Sequence, residues 1–171
     1  MLVRPIRWAL VAIGGGLLLA GGASIFWTPA DEVLYATSGP TGTCTDRAGC
    51  VGVSSLEVGN TGRDLQPDVR VRLRAAVVDT AILPPKVRDY GKVDRPVRVT
   101  RKGETVTFAL GPVKSDERVV VSFALRRERR ETLPAWDQTL VAVEPARGSA
   151  TPGNPGGTVL LRMWYTIARA F

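Results

Sequence analysis

The sequence predicts an all-β protein: an antiparallel β-sandwich carried behind a single N-terminal transmembrane helix. Three observations carry that expectation. A long run without charge opens the chain, short segments with an apolar residue at every second position follow, and clusters of Gly, Pro, Asn and Asp separate those segments. Strand after strand broken by such turns, with no strong internal helix, is the pattern of a sandwich.

The opening run is Trp8 to Trp27, twenty residues without a charged side chain. At about 1.5 Å per residue a helix of that length covers roughly the 30 Å hydrocarbon core of a bilayer. Trp8 and Trp27 close its ends, where indole rings favour the headgroup region. Arg4 and Arg7 stand before it, Asp31 and Glu32 follow it, and the next cation is Arg47. That asymmetry places residues 1–7 in the cytoplasm and 28–171 on the periplasmic or extracellular side of the plasma membrane, with 8–27 as a signal-anchor.

A cleaved signal peptide competes with this reading, because Gly21, Gly22 and Ala23 offer a peptidase site and cleavage would release a secreted domain. The anchor is preferred because Ile25, Phe26 and Trp27 prolong the apolar run past that site. No cysteine follows the small residues, so nothing marks a lipoprotein. Ala12, Gly16, Ala20 and Ser24 recur at every fourth position. Such a stripe lets helix backbones approach closely and suits a membrane-protein partner or a second copy of the chain, although small residues are also common in any membrane helix.

Beyond the anchor, 28–52 reads as a lead-in rich in Thr, Ser, Gly and Pro with one short strand at Glu32–Thr37, and 53–171 reads as the sandwich. Ser54, Leu56 and Val58 share a face opposite Ser55 and Glu57. Asn60-Thr61-Gly62-Arg63-Asp64 supplies a turn from residues that tolerate positive φ. In Asp68–Arg74 the alternation is strict, with Val69, Val71 and Leu73 on one face and Arg70, Arg72 and Arg74 on the other. One sheet face is therefore packed and its reverse is wet and positive. Residues 79–96 contain Pro84, Pro85 and Pro96 and read as a long connection.

Val97–Thr100 is a brief strand, and Lys102-Gly103 turns the chain into Glu104–Leu110, where Val106, Phe108 and Leu110 alternate. Gly111-Pro112 ends that strand. Arg118–Arg126 follows, with Val119, Val121, Phe123 and Leu125 inward, and the charged run 126–131 reads as a solvated rim in preference to a lipid-headgroup contact. Trp136, beside Pro134, fits an exposed or a core position, and core is preferred. Gln138–Glu144 is a further strand and 146–157 a mobile loop without periodicity. Thr158–Phe171 fits two patterns: a closing strand, preferred for its β-branched and aromatic content, or an amphipathic helix on the membrane surface.

Composition removes whole classes of chemistry. The chain has no His and two Met, which excludes His-based acid–base catalysis and most transition-metal sites. No cofactor and no small-molecule substrate is indicated: Gly14-Gly15-Gly16 lies in the apolar run and is not a phosphate loop. Net charge is +7 with 23 Lys and Arg, but export argues against nucleic acid as a partner, and anionic lipid or cell-wall polymer remains an alternative. Cys44 and Cys50 are not spaced as a redox pair. In an oxidising compartment they read as a structural disulfide pinning the chain ahead of the first core strand.

Three stretches, Leu56-Glu-Val-Gly-Asn-Thr-Gly62, VRVRL at 69–73 and Lys102-Gly-Glu-Thr-Val-Thr-Phe108, resemble bacterial immunoglobulin-like domains of the CARDB and NPCBM-associated type. The resemblance spans about residues 51–146 and implies an immunoglobulin-like sandwich with an accessory, adhesive or spacer role and no catalytic residues. Two functions from different classes follow. One is a non-catalytic interaction module of a membrane complex, using Arg70, Arg72 and Arg74 as its face. The other is a small carbohydrate-active enzyme built on paired carboxylates, for which Asp31/Glu32 and Asp116/Glu117 are the available neighbours.

Overall fold

Strict alternation in Val69–Arg74 is realised as a strand of the packed core. Val69, Val71 and Leu73 are fully buried, and each such side chain contributes about 1.5–3 kcal/mol by leaving water. The computed structural model describes residues 29–45, 49–90, 93–127 and 133–156. The expected anchor with its stripe Ala12, Gly16, Ala20 and Ser24, and the two-way reading of Thr158–Phe171, lie outside the described residues. Among the described residues no helix is long and apolar enough to cross a membrane.

Nine strands occur among these residues. They are β1 (Glu32–Thr45), β2 (Gly49–Asn60), β3 (Val69–Arg74), β4 (Lys86–Asp89), β5 (Arg98–Lys102), β6 (Thr105–Ala109), β7 (Arg118–Arg127), β8 (Leu140–Pro145) and β9 (Ser149–Pro152). Two single-turn helices, α1 (Ala75–Val78) and α2 (Trp136–Thr139), sit between them. One sheet has the order β4-β7-β2-β1-β9 and the other β5-β6-β3-β8.

Inward side chains of both sheets form one core. Val33, Leu56, Val58, Val119, Val121, Phe123 and Leu125 come from the first sheet, and Val69, Val71, Leu73, Val106 and Phe108 from the second. The architecture is an all-β sandwich of two sheets, and Ala30–Gly156 forms one compact unit.

Four expectations are corrected. The lead-in belongs to the sandwich and its strand is longer than Glu32–Thr37: β1 runs for 14 residues and pairs with β2 from Val33↔Asn60 to Thr45↔Gly49. Its polar, Gly-rich outer half hid this, because that half is exposed and has no apolar face to display. A register shift between Ser38 and Thr41 accommodates Pro40, which has no N–H to give, beside Gly39 at φ +92°.

The connection 79–96 contains β4, which adds to β7 with only Val87 buried, too little for a periodic signal. The supposed loop 146–157 contains β9, which runs parallel to β1, so the sandwich is not purely antiparallel.

The fourth correction concerns the disulfide. Cys44 and Cys50 are bonded, with Cα atoms 4.0 Å apart, but the bond lies directly across the β1–β2 hairpin and not ahead of a first core strand.

Trp136 is buried as expected, edge-on to Phe123 at 5.5 Å, and its Nε1–H donates to the Ser38 carbonyl at 3.1 Å. The turn after β2 forms where expected, for a different reason. Asn60 and Gly62 both keep negative φ. Asn60 is buried and its side chain ties down the neighbouring loops, while Gly62 is small because the Ala30 carbonyl would stand 2.5 Å from a β-carbon there.

A basic trough on the outer face of the four-stranded sheet

The outer face of β5-β6-β3-β8 is concave and holds a trough of about 800 Å³. Strand register builds it rung by rung. Glu144, Arg70, Ala109 and Arg98 lie side by side across the sheet, followed two residues on by Ala142, Arg72, Thr107 and Thr100. The third rung joins Arg74, Thr105 and Lys102.

The floor is therefore β6, whose Thr105, Thr107 and Ala109 are too short to fill the space. The walls are β3 and β5, about 9–10 Å apart across the one intervening strand. Long cationic side chains standing beside short hydroxyl ones make a depression on what would otherwise be a flat sheet.

Charge is distributed unevenly between the walls. On β3, Arg70 pairs with Asp68 at 2.8 Å and Arg72 with Glu144 at 2.7 Å, so acids of the same face already answer both. On β5, Arg98 and Lys102 have no ion-pair partner among the described residues. Arg101 points to the other side of β5, where both its terminal nitrogens donate to Asp79 at 2.8 Å. That hydrogen bond holds the Asp79 carboxyl below its ordinary range and raises the Arg101 guanidinium above its own. The surplus positive charge of the trough thus lies along β5.

Of the arginines singled out from the sequence, Arg70 and Arg72 line the trough. Arg74 belongs to the third rung but not to the lining. Sequence reasoning did not find the second wall of Arg98, Thr100 and Lys102. That strand is exposed throughout and so shows no inward stripe; only its pairing with β6 reveals which residues share the face.

Three of the four acids weighed as catalytic pairs are tied into hydrogen bonds of the fold. Asp31 accepts from Gln66 at 3.2 Å, Glu32 from the Thr61 hydroxyl at 2.6 Å, and Glu117 from Arg95 at 3.1 Å and the Lys114 N–H at 2.6 Å. Among the described residues no three His, Cys, Asp or Glu converge as metal ligands.

No family model matches the chain, the CARDB and NPCBM-associated type included, and no curated protein matches it. Among solved structures it is similar to the CBM3a-L domain with flanking linkers from scaffoldin cipA of the cellulosome of Clostridium thermocellum. The two are 12% identical, with 77% of this chain and 96% of that chain covered and a TM-score of 0.35. A likeness of that degree assigns neither activity nor ligand.

Proposed function

We propose that this chain is a single-pass envelope protein whose exported sandwich, immunoglobulin-like in kind, is a non-catalytic interaction module of a membrane complex. The basic trough carries the reading. It is a shaped, polar, cationic depression on a face that no other described residue covers, and its cations are held in fixed register by three strands. Such a surface recognises a partner of complementary charge and gives specificity through its pattern of signs.

The charge-free stretch Trp8–Trp27 supports the anchor, and the stripe Ala12, Gly16, Ala20 and Ser24 supports a helix partner in the bilayer. Ala30 packs on Gly62 and Pro155 on Gly59, so both ends of the described sandwich lie beside the end of β2.

The test is mild affinity purification of the full-length chain from detergent-solubilised membranes, beside a variant carrying Arg98→Glu and Lys102→Glu. The N-terminus of the recovered chain is determined in the same preparation. The wild type is expected to retain residues 1–27 and to bring down a partner that the variant loses. Equal recovery with both baits would end the role of the trough, and an N-terminus near residue 24 would end the anchor.

A further inference from the structure

We propose that β5 is a docking edge for an extended acidic peptide segment of a partner protein, which adds to the four-stranded sheet as a fifth strand. The inference rests on the trough-bearing face being the contact surface and names what that surface takes. Among the described residues β5 pairs only with β6, and all five of its residues are exposed.

The turn to β6 is a two-residue hairpin, Gly103-Glu104, with Gly103 at φ +56° and Lys102 opposite Thr105. Residues flanking such a turn exchange their hydrogen bonds, and bonded and non-bonded pairs then alternate along the ladder. Arg98, Thr100 and Lys102 therefore bond to β6, whereas Val99 and Arg101 direct their backbone N–H and C=O to the open edge.

The other sheet edges are less suited. The outer side of β4 is closed by its own chain, with the Asp89 N–H donating to the Val93 carbonyl and the Arg95 N–H to that of Val87. β9 is four residues ending in Pro152. β8 carries Glu144 and ends in Pro145. Among the described residues only β5 combines an open backbone with cations on the trough side and no acid paired to them.

Arg98 and Lys102 are four residues apart, about 13–14 Å in a strand. Acids four apart in an added strand would meet both, with the intervening outward residue over Thr100. Residues of the opposite parity would rest on Val99, whose side chain is half exposed.

A uniformly anionic polymer fits less well. Spread across the trough it would meet Asp68 and Glu144 on the far wall, whereas a peptide confined to β5 avoids them.

The probe is a capped nine-residue peptide alternating Glu with Val and Thr, titrated by fluorescence anisotropy against the full-length chain in an uncharged detergent. It is expected to bind, while the same peptide with Lys for Glu does not. Arg98→Glu with Lys102→Glu should weaken binding at least tenfold. Val99→Pro, which removes an outward N–H and leaves every trough charge in place, should do the same.

A probe N-methylated at alternate backbone positions should fail equally, and amide exchange at Val99 and Arg101 should slow on binding. These last two readouts decide the matter even if Val99→Pro does not fold. No binding of the probe overturns the inference. Binding that survives both Val99→Pro and N-methylation also overturns it, leaving only charge attraction by the trough, as does equal binding of polyphosphate or polygalacturonate. Loss of partner capture with the charge variant, without any strand addition, would remove this inference and leave the interaction module standing.

Discussion

Replacing Asn60 with alanine is expected to destabilise the sandwich by about 3 kcal/mol, from three hydrogen bonds at roughly 1 kcal/mol each. Asn60 is fully buried at the end of β2. Its Nδ2 donates to the Asp64 carbonyl at 2.7 Å and the Val113 carbonyl at 2.9 Å, and its Oδ1 accepts the Gly62 N–H at 3.1 Å. One side chain thus fastens the loop after β2 to the loop before β7.

The loss stops short of the larger cost of complete orphaning. The Val113 carbonyl keeps the Gln66 N–H, and the Gly62 N–H keeps the Glu32 carbonyl. Reversible urea unfolding followed by circular dichroism, at unchanged m-value, measures the difference. A loss below about 1 kcal/mol would refute the account of this network.

Asn60→Asp sharpens the test. It keeps the acceptor for Gly62 but turns a carboxylate oxygen toward two carbonyls, which raises the folded-state pKa of the new acid. The variant should be weakest at neutral pH and regain stability as pH falls through that raised pKa toward the ordinary carboxylate range. A flat pH response would contradict the assigned donor direction.

Three further outcomes follow from the same structure. Gly62→Ala should cost about 3 kcal/mol, because a β-carbon would meet the Ala30 carbonyl at 2.5 Å and the Glu32 nitrogen at 2.7 Å, both backbone. Gly111→Ala, at φ +72° in open space, should cost only about 1 kcal/mol, and equal losses in the two would defeat the steric argument. Opening the Cys44–Cys50 bond should lower stability by about 2 kcal/mol, as its short loop predicts, read from urea unfolding with and without reductant; no change on reduction would show the hairpin to be held without it. Asp79 has its pKa lowered by Arg101, so its contribution is present above the ordinary carboxylate value and fades as pH drops below it. Asp79→Asn should therefore narrow the stability gap between pH 6 and strong acid, and an unchanged acid limb would dismiss the pair as a stabilising contact.

Particular elements show how far the sequence could be read. β3, β6 and β7 were legible because each buries one face only, and period two follows from that geometry whatever the neighbours are. β1 was legible only to Thr37, since its outer half is held by pairing with β2 and by the disulfide and buries almost nothing. β4 and β9 were invisible for a related reason: four residues with at most one buried side chain carry no period. Half of the trough was legible, since Arg70 and Arg72 alternate with core residues.

By itself the sequence showed which side chains leave water in the strictly alternating stretches, and so it showed the all-strand class and the core stripes of β3, β6 and β7. Tertiary structure alone decided which strands lie side by side. Hydrogen-bonded register joins residues far apart in the chain, and no local pattern of polarity records it. That register set Arg98 across β6 from Arg70 and Lys102 across it from Arg74, made β9 parallel to β1, and left β5 at the edge of its sheet among the described residues.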